Sequence, residues 1–216
     1  MGSGRTRHGL VWKGVDAPRM EYVDVIVQGG GLVATGCQIG VEPEPYSVRY
    51  ELRLNRAGVA ERFSASSRST SSERELTMDR DPGGSWTYGQ ETPRVGPGQP
   101  RMDNPGPMPR ALDIDLGYSP LFNSTPVLRD GLLAEAAPAH DYLMAWVSVP
   151  DLTVTASHQR YEPLGRQGDL RIIRYTSLDS GFTAKIAFDT EGFVVDYEGF
   201  LERIAVDRHS AAGVDP

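Results

Sequence analysis

The sequence of 216 residues has a single cysteine and no long apolar segment. Because Cys37 stands alone, an intrachain disulfide is excluded, and a thiolate metal site would need several cysteines. The apolar residues around Cys37 predict a buried strand that carries an inert thiol. No apolar run approaches the roughly 20 residues that a membrane-spanning helix requires. We therefore expect no integral membrane association.

Histidine is also scarce, and nucleotide-binding motifs are missing. The four histidines lie far apart, without the paired spacing of metal ligands. The glycine run at 29–31 lacks the strand-to-helix context of a phosphate loop, and no serine has the context of a nucleophile elbow. We predict neither a metal nor a cofactor.

Basic residues are outnumbered, and Lys13 and Lys185 are the only lysines. The chain has 29 acidic and 22 basic residues, a net charge of -7. This balance disfavours a nucleic-acid partner, which needs a basic face, and gives no attraction to anionic lipid headgroups. The first residues lack the hydrophobic segment of a signal peptide. We therefore expect a cytoplasmic protein.

Alternation of apolar and polar residues is the dominant pattern in the chain. It is clearest in segment 46–54, where every second residue is apolar or aromatic: Tyr46, Val48, Tyr50, Leu52 and Leu54. Many short segments of this kind are separated by turn signals at a spacing of roughly ten residues. The pattern predicts an all-β barrel, sandwich or roll wide enough to enclose a cavity. We expect flexible ends at 1–8 and 207–216 and a single domain over 9–206.

Segment 90–110 interrupts this pattern with six prolines and three glycines. Proline lacks a backbone N–H group, so no regular element forms over such a stretch. A loop of this length is typical of a mobile surface segment or of a lid over a site. Both interpretations stay open.

The stretch 111–129 concentrates the polar groups that best suit a site. On a strand, Asp113 and Asp115 share one face, and aliphatic residues occupy the other. Two proline-containing bends follow, and we expect Asn123 to fix this double turn through its own backbone. The alternative is a solvated strand face followed by an ordinary loop.

Segment 157–161 offers a second group of polar side chains on a predicted strand. His158 and Arg160 would share one face, and Gln159 and Tyr161 the other. An exposed strand histidine is the alternative to a functional His158. In segment 142–149 a nearly continuous apolar run predicts a strand buried on both faces, with Trp146 in the core.

Residues that carry a family resemblance run through most of the chain. They are Trp12, Glu21, Tyr50, the turn 79–86, the run Leu112 to Leu116, Ser119, Pro120, Asn123, Pro126, Pro150, Gln159, Tyr161, Asp189, Gly192, Asp196 and Tyr197. In this order they resemble the bacterial "putative glycolipid-binding" family of spiral β-roll proteins. The resemblance implies a single antiparallel spiral β-roll, or open barrel, with a central cavity and almost no helix. It also implies a groove suited to a lipid or glycolipid.

Three departures from the family pattern lie near the centre of the resemblance. Phe122 replaces the threonine that precedes Asn123, and an arginine pair is reduced to Arg129, with Asp130 where an apolar residue is usual. The loop 90–110 is also long and rich in proline. A paired guanidinium group grips phosphate or carboxylate, so losing one arginine weakens an anionic headgroup site and indicates a changed ligand.

Two main functions remain open at the level of the sequence. The first is a binding module for a hydrophobic or lipid-like small molecule, with the ligand-binding residues Arg129, Asn123, Phe122, Gln159, Tyr161 and Asp196, and Asp115 as a further polar anchor. The second is a metal-independent isomerase, cyclase or lyase that uses the same cavity, with Asp115, Asp113, His158 or Asp196 as general acid or base. A salt bridge between Arg129 and Asp115 would be the purely structural interpretation of that pair. For the protein as a whole, a structural or partner-binding β domain is a third possibility.

Overall fold

The computed structural model describes residues 4–91 and 110–211. The predicted loop 90–110 therefore lies almost wholly outside the described residues. Fourteen strands and one helix are found in the described part of the chain. The strands are Arg5–Gly14 (β1), Arg19–Gln28 (β2), Gly31–Gly40 (β3), Tyr46–Leu54 (β4), Ala60–Ser69 (β5), Glu73–Arg80 (β6), Trp86–Glu91 (β7), Asp113–Leu116 (β8), His140–Val147 (β9), Val154–Gln167 (β10), Leu170–Ser177 (β11), Thr183–Phe188 (β12), Val194–Tyr197 (β13) and Leu201–Ala211 (β14); the helix is Pro120–Arg129 (α1).

All fourteen strands belong to one open sheet. Its order is β7-β6-β5-β4-β3-β2-β1-β14-β13-β12-β11-β10-β9-β8, so that nearly every strand pairs with its neighbour in sequence. The pairings are antiparallel except that of β8 with β9, which is parallel. The prediction of an all-β protein built on a single unclosed roll is confirmed.

Local alternation explains the strands well, as β4 shows. Its five apolar or aromatic side chains are buried, and Arg49, Glu51 and Arg53 between them are exposed. The turn that follows is closed by Asn55, whose side-chain oxygen accepts hydrogen bonds from the backbone N–H groups of Ala57 and Val59. An asparagine that bonds the backbone two residues later is a common turn former.

The two ends of the sheet approach each other and give the sheet its rolled form. The N–H group of Ala60 in β5 donates to the carbonyl oxygen of Leu112, 2.9 Å away and one residue before β8. The Trp86 indole Nε1 in β7 donates to the carbonyl oxygen of Ala111 at 3.0 Å. These contacts bring β8 across from β5 and β7.

Strands also occupy part of the segments that the sequence analysis assigned to flexible ends. β1 begins at Arg5 and β14 continues to Ala211, and these two residues are directly paired. The alternation that holds in the middle of the chain is weak there, because residues 204–209 of β14 are exposed on both faces and β1 begins with three polar residues. Pairing of β1 with β14 joins the two halves of the sheet.

The predicted double turn after β8 is wrong, because residues 120–129 form helix α1. Pro120 opens the helix, where a missing N–H group costs nothing. Pro126 lies inside it and cannot donate to the carbonyl oxygen of Phe122. The Thr125 hydroxyl donates to that carbonyl instead, at 3.0 Å. Asn123 is therefore a helix residue and not the lock of a turn.

Helix α1 fills the interior of the roll. Leu121 and Phe122 belong to one buried cluster, formed mainly with strands β1 to β6, and Val127 belongs to a second one, formed with β9 to β13. The Phe122 ring lies 5.3 Å from that of Tyr50 and 5.8 Å from that of Phe63, measured between centroids. Phe122, a predicted ligand contact, is a fully buried core residue.

Strand β9 is buried less completely than its apolar sequence predicts. Met144, Ala145 and Val147 are buried, but Trp146 is 36% exposed. The prediction that Trp146 lies in the core is wrong. Its side chain instead contributes to the wall of a cavity beside α1.

Candidate functional site

Strand β8 and helix α1 bring the two predicted aspartates into the interior. Asp113 is 1% exposed, and the aspartate face of β8 is directed at partners on α1 and β10. A solvated strand face is therefore excluded for this pair. The two carboxylates have different partners and different surroundings.

Asp113 forms an ion pair with Arg129, at the far end of α1. Arg129 Nη1 lies 2.6 Å from both carboxylate oxygens of Asp113, and Arg129 Nη2 lies 3.0 Å from Oδ2 of Asp130. Burial lowers the pKa of Arg129, but the charge and hydrogen bonds of Asp113 outweigh burial and leave the pKa raised. The expected partner was Asp115. Arg129 is thus held by two carboxylates and does not line the cavity.

Asp115 accepts a hydrogen bond from Gln159 on β10, with 2.6 Å between Nε2 and Oδ2. The same network continues to helix α1. The Tyr161 hydroxyl lies 3.4 Å from Oε1 of Gln159 and accepts a hydrogen bond from Asn123 Nδ2 at 2.9 Å. Gln159 and Tyr161 are fully buried and hold Asp115 from behind. Burial raises the pKa of Asp115 to about 6, although the bond from Gln159 pulls it down.

A cavity of about 220 Å³ lies in front of Asp115. Its polar lining includes Asp115, Ser119 and Asn123, from β8, the following turn and α1. Six aromatic side chains supply most of the remaining wall: Tyr118, Trp146, Tyr175, Phe182, Tyr197 and Phe200. Asn123 is thus the predicted ligand residue that both lines the cavity and bonds the network behind it.

Four of the aromatic rings contact one another in a closed circuit. The ring centroids of Tyr175 and Phe182 are 6.3 Å apart, those of Phe182 and Phe200 5.4 Å, those of Phe200 and Tyr197 5.3 Å, and those of Tyr197 and Tyr175 6.0 Å. Tilted and edge-to-face pairs at these distances are mutually favourable. The circuit joins β11, the residue just before β12, β13 and the turn before β14 into one continuous wall.

Behind Ser119 lies a buried carboxyl group that the sequence analysis did not assign to the site. Glu21 on β2 is 1% exposed, and its Oε1 accepts from the Ser119 hydroxyl at 2.5 Å and from the Tyr50 hydroxyl at 2.8 Å. Gly36 leaves room for this arrangement, because a Cβ atom there would lie 2.4 Å from the Tyr50 hydroxyl. Burial raises the pKa of Glu21 to about 8, against the two hydrogen bonds. The sequence does contain a sign of this burial, because Glu21 lies two residues before buried Val23 and so on the same face of β2.

His158 and Asp196 lie away from the cavity. His158 is exposed on the opposite face of β10 from Gln159, and its Nδ1 is 3.0 Å from Oδ1 of Asp179. Asp196 is exposed on β13, in register with Glu202 of β14. The predicted alternation of segment 157–161 is therefore correct, but it directs His158 outward.

A larger groove of about 480 Å³ follows the outer face of β2 to β6. It is open to solvent, and hydroxyl and charged side chains such as Ser64, Arg49 and Glu51 line it. Tyr50, whose hydroxyl donates to buried Glu21, also lines it, but Tyr22 is the only other aromatic residue among its described lining residues. In the described residues no group of three or more His, Cys, Asp or Glu could hold a metal ion. Within 4–91 and 110–211, no helix is long and apolar enough to cross a membrane.

An open β-roll with an internal helix and an aromatic cavity beside it defines the structural class of this protein. The chain belongs to the family described as "Putative glycolipid-binding", whose sequence model matches residues 9–203. A DUF1089 family protein from Pseudomonas aeruginosa has a similar crystal structure, with a TM-score of 0.63 and 22% identity over 85% of this chain and 92% of that chain. A β-barrel-like DUF1849 protein from Brucella abortus is 7% identical, with a TM-score of 0.48, over 96% of this chain and 98% of that chain. No functionally curated protein sequence matches.

Proposed function

We propose that this protein binds a lipid-like or hydrophobic small molecule in the aromatic cavity. The circuit of four rings supports this, because it presents apolar surface to a preformed concave site. Trp146 and Tyr118 leave further aromatic surface open, at 36% and 41% exposure. A ligand that covers these side chains removes their apolar surface from water, which is the main driving force for such binding.

The polar residues beside the rings orient that molecule. Asp115 and Asn123 reach the cavity wall, and Gln159 and Tyr161 fix them from behind. The family description, "Putative glycolipid-binding", is compatible with a ligand that has both apolar and hydroxyl-bearing parts. Arg129 keeps a structural role in this proposal, since Asp113 and Asp130 occupy its guanidinium group.

Tryptophan fluorescence tests the proposal directly. Trp146 lies in the cavity wall, so an octyl glucoside with bromine in its alkyl chain should quench it. Trp146→Phe should remove the quenching. Trp86→Phe is the matched control and should retain it, because Trp86 lies elsewhere and is bonded to Ala111. Equal quenching in the wild type and in Trp146→Phe would contradict binding in this cavity.

Affinity for the same probe gives a second test. Tyr197→Ala opens the aromatic circuit and should weaken binding. Tyr22→Ala is the matched control, because Tyr22 is 51% exposed and lies outside the cavity. If both variants bind the probe as the wild type does, the ligand site is elsewhere.

A second candidate function is acid–base catalysis in the same cavity, which the pKa of about 6 at Asp115 favours. Asp113 is occupied by Arg129 and His158 faces away, so Asp115 is the residue placed to act. Small-molecule profiles of cells that express equal amounts of wild type and Asp115→Asn test this function. A compound formed only with the wild type would support catalysis, and identical profiles would count against it.

A further inference from the structure

Charge in the cavity comes from one side chain. Asp115 is its only charged lining residue within the described parts of the chain, and no lysine, arginine or histidine of those parts lines it. Arg129 at the end of α1 is already neutralised by Asp113 and Asp130. An anionic headgroup in the cavity would meet a carboxylate and no compensating cation.

The carboxylate of Asp115 also has no cationic partner among the residues that the structure describes. Its hydrogen-bond donor in the described structure is the neutral amide of Gln159, and the neighbouring charge of Asp113 is matched by Arg129. Burial raises the pKa of Asp115 to about 6, which leaves the group ionised at pH 7.5. An ionised carboxylate held by one neutral donor beside apolar rings gains most from a ligand of opposite charge.

Aromatic faces around the carboxylate favour the same kind of ligand. The faces of tyrosine, tryptophan and phenylalanine attract cations through the ring quadrupole, and several such rings form the usual cage for a substituted ammonium group. Tyr118 at the edge of the cavity already contacts a cation, since the guanidinium carbon of Arg19 lies 4.3 Å from its ring centroid. Arg19 is in turn paired with Asp16, so its charge is balanced outside the cavity.

We propose that the cavity recognises an organic cation, with a substituted ammonium group held between the carboxylate of Asp115 and the rings of Tyr175, Tyr197 and Phe200. This inference rests on the proposed function and names the class of its ligand: an amphiphile or small molecule with a positively charged amine. A volume of about 220 Å³ suits such a headgroup better than a complete lipid.

Choline and its neutral isostere, 3,3-dimethylbutan-1-ol, provide the test because they have the same shape and differ in charge. Binding of each is measured by calorimetry at pH 7.5 and by Trp146 fluorescence. Choline should bind at least about tenfold more tightly, a ratio that corresponds to about 1.4 kcal/mol, supplied mainly by the charge of Asp115 and in smaller part by cation–π attraction. Equal affinities, or tighter binding of the alcohol, would overturn the proposal.

Two variants assign the preference to these side chains. Asp115→Asn should abolish the preference for choline. Tyr197→Leu should reduce this preference but leave the affinity for the alcohol unchanged. Asp196→Asn removes an exposed carboxylate on β13 and is the matched control, which should keep the full preference. Circular dichroism establishes whether each variant is folded. If Asp115→Asn does not fold, Tyr197→Leu provides the test.

Failure of this inference differs from failure of the proposed function. If the alcohol and the brominated glucoside bind at Trp146 and choline does not, the cation proposal is overturned and the hydrophobic site stands. If none of the three probes changes Trp146 fluorescence, both proposals are overturned. A preference for choline that survives Asp115→Asn would also overturn the assignment to this carboxylate.

Discussion

Arg129 and Asp113 form a buried ion pair in which one guanidinium nitrogen lies 2.6 Å from both carboxylate oxygens. Their side chains are 8% and 1% exposed. The pair ties the last residue of α1 to the first residue of β8, two elements that wall the cavity. Removing one partner leaves the other charge buried without compensation, which is far more costly than losing an exposed pair.

Arg129→Gln should therefore lower the free energy of unfolding by about 3–5 kcal/mol. Urea denaturation of the ligand-free protein measures this change. Arg160→Gln is the control and should have little effect, because its pair with Asp141 is exposed. The double variant Arg129→Gln/Asp113→Asn should lose less than the sum of the two single losses. Equal stability of the Arg129 and Arg160 variants would show that the buried pair does not hold the helix.

Truncation of Phe122 should cost far more stability than truncation of Trp146. Phe122 is fully buried against Tyr50 and Phe63, so Phe122→Ala should cost about 3–5 kcal/mol of unfolding free energy. Trp146 faces the cavity, so Trp146→Ala should cost less than about 1 kcal/mol. Thermal and urea denaturation compare the two variants. A larger loss for Trp146→Ala would place its side chain in the core.

Local patterns were sufficient to predict the strands, as in β4, because alternation depends on neighbours in sequence. They were insufficient for α1, since two prolines in ten residues normally end a helix. What makes the helix stable is tertiary: its apolar residues fill the roll, and Arg129 reaches Asp113 on a strand that precedes it. The side chain of Ser119, the residue before the helix, donates to Glu21 and makes no capping hydrogen bond to the helix.

The candidate site was predicted in part. Asp115, Asn123, Gln159 and Tyr161 do converge, and their alternation on two strands was visible in the sequence. The aromatic circuit was not, because its rings come together only through the register of separate strands, such as the pairing of Ile186 with Tyr197. Which of the two aspartates of β8 meets Arg129 likewise depends on where α1 ends.

Thr125 should prove essential to the helix despite its small side chain. Its hydroxyl donates to the carbonyl oxygen of Phe122, to which Pro126 has no N–H group to donate. Thr125→Val keeps the shape but leaves a buried acceptor unpaired, at a cost of about 1–3 kcal/mol. Thr125→Ser retains the hydroxyl and is the control for this loss.

Restoring the missing N–H group gives the decisive comparison for this hydrogen bond. In a Pro126→Ala background the backbone can donate to the carbonyl oxygen of Phe122. Thr125→Val should therefore cost less in that background than in the wild type, as measured by urea denaturation. Equal costs in the two backgrounds would assign the effect of Thr125 to its other contact, the one with Asp113.

Glu21 should make stability depend on pH in the direction opposite to an ordinary surface carboxylate. Its folded-state pKa is raised by burial to about 8, from a usual value of 4.5. Between these two values the folded state keeps a proton that the unfolded state has lost. The free energy of unfolding should thus fall as pH rises from about 4.5 to about 8, with a limiting slope near 1.4 kcal/mol per pH unit from this group.

Glu21→Gln isolates that contribution, because glutamine resembles the protonated acid and retains an oxygen that can accept from Ser119 and Tyr50. Wild type and variant should have similar stability at pH 5, where both are neutral at this position. At pH 9 the variant should be the more stable by several kcal/mol, since the wild type must bury a charge. Urea denaturation at the two pH values measures the difference. The same difference at pH 5 and pH 9 would mean that Glu21 does not titrate between them.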